Sequence, residues 1–373
     1  MTAQSKGCAV FFCTSGSRGS LQLGTPVKLR RSSRWATSLS SSLLLFCNPG
    51  LALSQQLQED RIRTIVNMVP VGVTVTDSAG KFVEQLRHGD FTVSDDGVKQ
   101  PIIYFAIDLP TDVLILIEAG PAVYLMEGGH LRAASKLLDG LSAQDRVAVV
   151  KYSDKPESVS DFSGDKKVAL QAFDHLNFNL GFGSLNLSDS LSTLLNWMDQ
   201  SPASKTIVLL STGVDTSAPE SGAKLLQRLR EANTRILAVS LLGDLRTPKP
   251  TNKKRPPSMA MGMTSQQFDA ADQTLRQLAA ATGGRSYFPA DAKEFAAAYQ
   301  EISEIVGHQY MLGYVAPIED EKVHTIDVQL TIDPQARPVG IVSHPLPLRV
   351  DHRQTYLARK RKDFSLPNGA IGK

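Results

Sequence analysis

The chain has 373 residues, of which 42% are apolar and 21% are charged. This apolar fraction is too high for a disordered chain and too low for a protein that crosses a membrane several times. Residues 1–54 contain six basic residues and no acidic one, which leaves 34 basic against 37 acidic residues in 55–373. Phosphate neutralisation requires the opposite balance, so we expect no nucleic-acid partner.

Residues 1–54 have the pattern of a leader that directs export. A basic segment precedes a short apolar run at 43–47, and Ala52 and Ser54 supply the small residues expected before cleavage at Gln55. The run is too short to cross a bilayer comfortably, and an uncleaved N-terminal tail is the alternative. All three cysteines lie in this segment, so the mature chain would carry no thiol. We expect a periplasmic, cell-envelope or secreted protein without a transmembrane segment in the mature chain.

Residues 65–108 have the pattern of β strands. Apolar and small polar residues alternate between Val69 and Thr76, which is the period of a half-buried strand. Asp95-Asp96-Gly97 is typical of a hairpin turn. This segment is therefore predicted to be the first part of a β module.

The pattern changes after Pro110, where continuous apolar runs alternate with helical stretches. Such runs indicate strands that are buried on both faces. The predicted strands are 113–117, 147–150, 206–210, 235–239 and 285–288, and the predicted helices are 131–141, 168–176, 187–198, 223–232, 275–281 and 292–305. This alternation predicts an α/β domain over residues 110–307 with a doubly wound, mostly parallel sheet. A proline-rich and basic segment at 244–267 is expected to be an exposed, mobile loop.

Residues 308–357 return to the alternation of β strands. They form either a separate piece or one small β-sandwich with residues 65–108, into which the α/β domain is inserted. We favour the sandwich because each piece alone has too few strands to be stable. Residues 358–373 are expected to be a disordered tail.

Three polar segments at 117–122, 183–189 and 210–215 follow predicted strands or begin a predicted helix. In this order they resemble the von Willebrand factor type A (VWFA) fold. The flanks resemble the exported VWFA-related proteins common in Acidobacteria. The matching flank motifs are Val73-Thr74-Val75-Thr76-Asp77, Asp90-Phe91-Thr92-Val93, Tyr310-Met311-Leu312-Gly313-Tyr314 and Arg353-Gln354-Thr355-Tyr356.

The resemblance implies a divalent-ion site at the carboxyl edge of the sheet, made by an Asp-x-Ser-x-Ser loop, a Thr and a second Asp. The matching positions in this sequence are Glu118, Gly120, Ala122, Leu185 and Thr212. Two of them keep an oxygen ligand, whereas Mg²⁺ requires near-octahedral oxygen coordination. We therefore expect a degenerate site without a metal or another cofactor. Weak Mg²⁺ or Ca²⁺ binding, rescued by Asp189 and Asp215, is the alternative.

Other chemistry has weaker support. Ser184 follows a glycine but lacks the second glycine of a Gly-x-Ser-x-Gly elbow, and a helix N-cap is its expected role. The seven histidines have no zinc-like i, i+4 spacing, so surface or capping roles are expected. Tyr310, Tyr314 and Tyr356 are expected to pack across strands.

These observations predict an exported, non-catalytic protein-binding or scaffold protein with a degenerate metal-ion-dependent adhesion site. Its protein partner is unidentified, and exposed β edges would allow self-association. The alternatives are a metal-dependent adhesion domain with a rebuilt site and a cell-envelope hydrolase. The expected contact rim consists of Glu118, Pro121, Ser184, Asn186, Asp189, Thr212 and Asp215.

Overall fold

The computed structural model describes residues 68–120, 134–176, 183–243, 263–318, 320–331 and 347–358. The predicted leader lies outside the described residues, as does the predicted tail after Ala358 and most of the predicted loop at 244–267. None of the described helices combines the length and the apolar character needed to cross a bilayer.

A six-stranded sheet in the order β10-β9-β8-β5-β6-β7 forms the centre of the described α/β unit. Its strands are β5 (Thr111–Glu118), β6 (Arg146–Tyr152), β7 (Pro156–Ser163), β8 (Ser204–Ser211), β9 (Thr234–Ser240) and β10 (Ser286–Tyr287). All neighbours are parallel except β7, which runs antiparallel to β6 at the edge. The predicted doubly wound, mostly parallel sheet is confirmed. The pattern analysis missed β7 because most of its residues are polar and at least partly exposed.

Helices cover both faces of this sheet. They are α1 (Lys166–Asp174), α2 (Leu187–Met198), α3 (Pro219–Glu231), α4 (Ser265–Thr282) and α5 (Ala292–Ile305), with a 3-10 helix at Ser135–Gly140. Alternate residues of β5 face opposite sides: Ile115 packs with α1 and α5, whereas Leu116 packs with α2, α3 and α4. Burial on both faces explains the continuous apolar runs of the strand sequences.

Helix α4 differs most from its prediction. It begins ten residues before the predicted start at 275, within the segment predicted as a loop, because Thr264 and Gln267 form a capping box. Its first turns expose glutamines, so the apolar periodicity is weak there. The predicted C-cap is confirmed, since Gly283 adopts a left-handed conformation with φ of 70°.

Two four-stranded sheets form the β module, in the orders β13-β1-β11-β4 and β14-β12-β2-β3. Their strands are β1 (Met68–Thr76), β2 (Phe91–Asp95), β3 (Val98–Gln100), β4 (Tyr104–Ile107), β11 (Tyr310–Val315), β12 (Val323–Leu330), β13 (Arg349–His352) and β14 (Thr355–Leu357). Because β1 pairs with β11 and β2 with β12, each sheet combines both predicted segments. The predicted insertion of the α/β unit into a small sandwich is thus confirmed, and Tyr310, Tyr314 and Tyr356 lie in the shared core.

Two buried arginines connect the α/β unit to the sandwich. Arg235 donates hydrogen bonds to Thr74 Oγ1 at 2.7 Å and to the carbonyl of Ile305 at 2.9 Å. Arg285 donates to Asp351 Oδ2 at 2.6 Å and to Thr76 Oγ1 at 2.7 Å. Both arginines are 3% exposed, so removing either would leave buried acceptors without their donor.

We expect Arg285→Met to lower the free energy of unfolding by about 3 kcal/mol, because it removes one partner of a buried ion pair. Arg349→Met is the matched control, since Arg349 binds the same Asp351 at 3.0 Å but its side chain is 59% exposed. Its expected cost is about 1 kcal/mol or less. Urea unfolding of both variants measures the difference, and equal costs would contradict the structural role of Arg285.

Candidate functional site

The carboxyl ends of three neighbouring strands meet at one edge of the six-stranded sheet. Glu118 ends β5, Tyr152 ends β6 and Ser211 ends β8. Glu118 lies directly beside Tyr152 in the parallel register. Loops at this edge of an open α/β sheet are the usual place of ligand contact.

The Glu118 carboxylate is bound by groups of its own chain. Its Oε2 atom accepts hydrogen bonds from Thr212 N and Oγ1, both at 2.7 Å. Ser211 Oγ and Tyr152 Oη lie 3.0 Å and 3.2 Å from Oε2 and 2.6 Å from each other, so one of these hydroxyls donates to the other. All four residues are 0% exposed. This oxygen is therefore fully engaged inside the protein.

The second oxygen of Glu118 faces a restricted space. Oε1 has no hydrogen-bond partner among the described residues. A Cβ atom added to Gly120 would lie 3.1 Å from Oε1 and 3.0 Å from Leu185 Cδ2, which is closer than ordinary van der Waals contact. Gly120 and the longer acid at 118 therefore fit together, and a serine at 120 would require Leu185 to move.

Burial governs the charge of this site. Desolvation raises the pKa of Glu118 above its ordinary value of 4.5, although hydrogen bonds from Thr212, Ser211 and Tyr152 oppose the shift. Burial, followed by the charge of Glu118, raises the pKa of Tyr152 well above its ordinary value. The protein thus disfavours a negative charge at the position where a cation would require one.

The acid proposed to rescue a cation site, Asp215, is engaged elsewhere. Its Oδ2 atom accepts hydrogen bonds from Ser188 N at 3.2 Å and from Ser188 Oγ, while Oδ1 accepts one from Ser217 N at 3.0 Å. Asp215 therefore binds the first turn of α2, where the helix dipole favours an anion. Within the described residues, no group of three or more His, Cys, Asp and Glu side chains with ligand spacing includes Glu118, Asp189 or Asp215.

Hydrogen bonds also tie the surface loops above Glu118 together. Asn186 donates through Nδ2 to Asp154 Oδ1 at 2.9 Å, and its Oδ1 accepts from Thr216 Oγ1 at 3.0 Å. Thr216 also accepts from Leu185 N at 2.8 Å. The loops after β6, before α2 and after β8 are thereby held in one arrangement.

The structure corrects part of the predicted rim. Glu118 and Thr212 are wholly buried and do not reach a partner at the surface, whereas Ser184, Asn186, Asp189 and Asp215 are at least partly accessible. Pro121 and Ala122 lie outside the described residues. The N-cap position of α2 is Asn186, so the N-cap role expected for Ser184 is wrong.

Sequence reasoning missed Tyr152 and Ser211 as partners of Glu118. Each is the last residue of its strand, directly following or close behind a buried apolar run. Polar residues at the ends of parallel strands converge at one edge, so this position was the signal that would have identified them.

We expect Glu118→Gln to flatten the pH dependence of stability above pH 4.5. The folded protein retains the Glu118 proton to a higher pH than the unfolded chain, so the free energy of unfolding falls as pH rises from 4.5 towards the raised pKa. Below that window the carboxyl is protonated in both states and the contribution is constant.

Urea unfolding of wild type and Glu118→Gln between pH 4 and pH 8 tests whether the free energy of unfolding changes with pH in this direction. The stability of the variant relative to wild type should increase with pH across the window. Parallel profiles would show that the buried carboxyl does not oppose folding when charged.

Comparison with known proteins gives a family-model match over part of the chain. Residues 130–301 match the family model of the von Willebrand factor type A domain. The matched segment begins after β5 and therefore leaves that strand out. In the structure, β5 lies between β6 and β8 in the same sheet. No curated protein matches the chain.

Solved structures that match part of this chain come from diverse sources. An aerotolerance-related membrane protein from Bacteroides fragilis is 14% identical, with a TM-score of 0.38 over 52% of this chain and 100% of that chain. A von Willebrand factor type A protein from Catenulispora acidiphila is 11% identical, with a TM-score of 0.40 over 73% of this chain and 72% of that chain. Proximal thread matrix protein 1 from mussel byssus is 12% identical, with a TM-score of 0.39 over 55% of this chain and 49% of that chain.

Proposed function

We propose that this protein is an exported, non-catalytic binding or scaffold protein whose von Willebrand factor type A domain recognises its partner without a metal ion. The observation that carries the proposal is the buried carboxyl group of Glu118, whose Oε2 atom accepts two hydrogen bonds from Thr212 and lies within hydrogen-bond distance of the Ser211 and Tyr152 hydroxyls. The basic and apolar pattern of residues 1–54 supports export.

Among the described residues, the side-chain oxygen atoms nearest Glu118 already hydrogen-bond to its carboxyl group, which leaves few to replace the hydration shell of a cation. Gly120 offers no side chain, and Leu185 presents methyl groups at the position of a threonine ligand in the family that this sequence resembles. The Thr212 hydroxyl is a donor to Glu118 rather than a second carboxylate. Mg²⁺ keeps its water unless several hard oxygens take its place, so this edge favours an internal hydrogen-bond network.

The loss of a cation changes the partner that this edge can bind. In the family that the sequence resembles, a carboxylate of the partner completes the metal shell. Here the accessible rim carries Asp154, Asp189 and Asp215 beside Ser184 and Asn186, and a partner carboxylate would be repelled. We therefore propose a protein partner that offers amides, hydroxyls or basic side chains. The hydrogen bonds between the loops support a preformed surface.

Restoring the ligands of the family should create metal binding where the native chain has none at this edge. The restored variant carries Glu118→Asp, Gly120→Ser, Ala122→Ser, Leu185→Thr and Thr212→Asp. The change at 185 also removes the methyl group that would crowd a Cβ atom at 120. We expect saturable Mg²⁺ binding in isothermal titration calorimetry of this variant.

The native protein should show no Mg²⁺ binding that depends on residue 118, so its titration should match that of Glu118→Gln. Native Mg²⁺ binding that Glu118→Gln abolishes would contradict the proposal and favour the metal-dependent alternative. Binding that both proteins share would place the ion elsewhere in the chain.

Charge reversal at the rim should weaken partner binding. We expect Asp189→Lys, combined with Asn186→Ala, to reduce capture of envelope proteins by the immobilised protein, because it removes an acid and a polar anchor from the accessible surface. Asp139→Lys is the matched control, because Asp139 is exposed in the 3-10 helix before β6, towards the opposite edge of the sheet. Quantitative mass spectrometry of the captured proteins gives the comparison, and equal losses in both variants would exclude the rim as the contact surface.

A further inference from the structure

A second group of polar side chains lies in the sandwich, away from the edge that carries Glu118. It consists of Asp95 and Asp96 at the end of β2 and His324 in β12. One potential ligand atom from each side chain lies within 4.8 Å of the others. Such a group has the spacing that can hold a metal ion.

The local fold aims these side chains at one another. Asp96 and Gly97 form the two-residue turn between β2 and β3 with φ values of 47° and 79°, as the Asp-Gly pattern predicts. Asp96 Oδ1 accepts hydrogen bonds from Thr325 N and Oγ1, both at 2.8 Å. These bonds fix the carboxylate so that Oδ2 lies 2.8 Å from His324 Nδ1.

Asp95 supplies an independent indication of a ligand. The residue is 2% exposed, and its Oδ2 atom accepts hydrogen bonds from Tyr314 Oη at 2.9 Å and Tyr356 Oη at 2.7 Å. Its Oδ1 atom has no hydrogen-bond partner among the described residues and lies 3.7 Å from His324 Nδ1. A buried carboxylate oxygen without a partner is costly, and a cation at this point would satisfy it.

The imidazole of His324 is oriented as a metal ligand requires. Nε2 lies 2.9 Å from Asp320 Oδ1, and the side chain of His324 is 7% exposed. Histidines that bind a metal through one nitrogen usually donate the other N–H to a carboxylate, which fixes the ring and its tautomer. Asp320 therefore turns Nδ1 towards Asp95 and Asp96.

We propose that Asp95 Oδ1, Asp96 Oδ2 and His324 Nδ1 bind one divalent transition-metal ion of the Zn²⁺ type, with Asp320 as the positioning residue. One imidazole nitrogen and two carboxylate oxygens suit such an ion better than Mg²⁺, which prefers oxygen ligands alone. The Asp96 side chain is 53% exposed, so water can complete the coordination shell. On binding, the ion replaces the hydrogen on Nδ1, which is released as a proton, while the other hydrogen stays on Nε2 and is donated to Asp320 Oδ1.

Binding of the ion would join the hairpin of β2 and β3 to the beginning of β12. Because β2 comes from the first segment of the sandwich and β12 from the second, the ion would cross-link the two parts of the chain that flank the α/β unit. This inference does not rest on the proposed function, since it uses none of the residues at the edge of the six-stranded sheet.

Calorimetric titration of the full-length protein with ZnCl₂ tests the site, with MgCl₂ as the comparison ion. The three cysteines in residues 1–54 are first alkylated with N-ethylmaleimide, because thiolates would bind zinc. We expect one saturable zinc site per chain and a rise in the melting temperature with zinc. Asp96→Asn and His324→Ala should abolish the binding, and Asp320→Asn should weaken it by about 10- to 100-fold.

One control variant tests whether zinc binding is specific to this site, and two further variants separate loss of binding from loss of folding. His175→Ala removes an exposed histidine at the end of α1 and should leave zinc binding unchanged. Asp96→Asn and Asp320→Asn alter partly exposed side chains, so they test the site even where His324→Ala fails to fold. Absence of saturable zinc binding would overturn the proposal, and so would binding that Asp96→Asn and Asp320→Asn leave unchanged.

Discussion

The buried carboxyl group of Glu118 is the constraint on which the carboxyl edge of the six-stranded sheet depends. A charged group inside a protein is costly unless hydrogen bonds replace its water, and here Thr212 and the hydroxyls of Ser211 and Tyr152 converge on one oxygen. Those bonds hold the ends of three strands together. Because Oε2 is engaged in this way, the edge is organised by its own hydrogen bonds, and the surface loops above it rest on a fixed base.

The rim and the sandwich are parts of one connected unit. Arg235 and Arg285 extend from the α/β unit to Thr74, Thr76 and Asp351 of the sandwich through buried hydrogen bonds. The interrupted sandwich cannot form until both of its segments have met, so these contacts link the folding of the two parts. Binding at the rim and metal binding at His324 would nevertheless use separate residues.

The sequence predicted the mostly parallel sheet because strands that are buried on both faces have continuous apolar sequences, as in β5 and β8. It missed β7, an edge strand of mostly polar residues, and half of α4, whose first turns are solvated. The position of Glu118 at a strand end is predictable, but its full burial is not, since Tyr152, Ser211 and Thr212 reach it from other segments of the chain.

Contacts between distant parts of the chain explain why the sequence did not predict the group of side chains around His324. The spacing of the histidines predicts a surface or capping role for His324, because no other histidine lies four residues away from it. The hydrogen bond between His324 and Asp96 joins residues 228 positions apart in sequence, and only the pairing of β2 with β12 brings them together. Local spacing identifies sites on single helices or loops, but a site assembled from the two halves of an interrupted sandwich leaves no local pattern.

A crystal structure determined after soaking in MnCl₂, with anomalous scattering to locate the ion, tests the central claim most directly. The account predicts that no manganese lies within about 2.5 Å of Glu118 and that Oε2 retains its hydrogen bonds to Thr212. A six-coordinate ion bound to the Glu118 carboxylate would contradict the account.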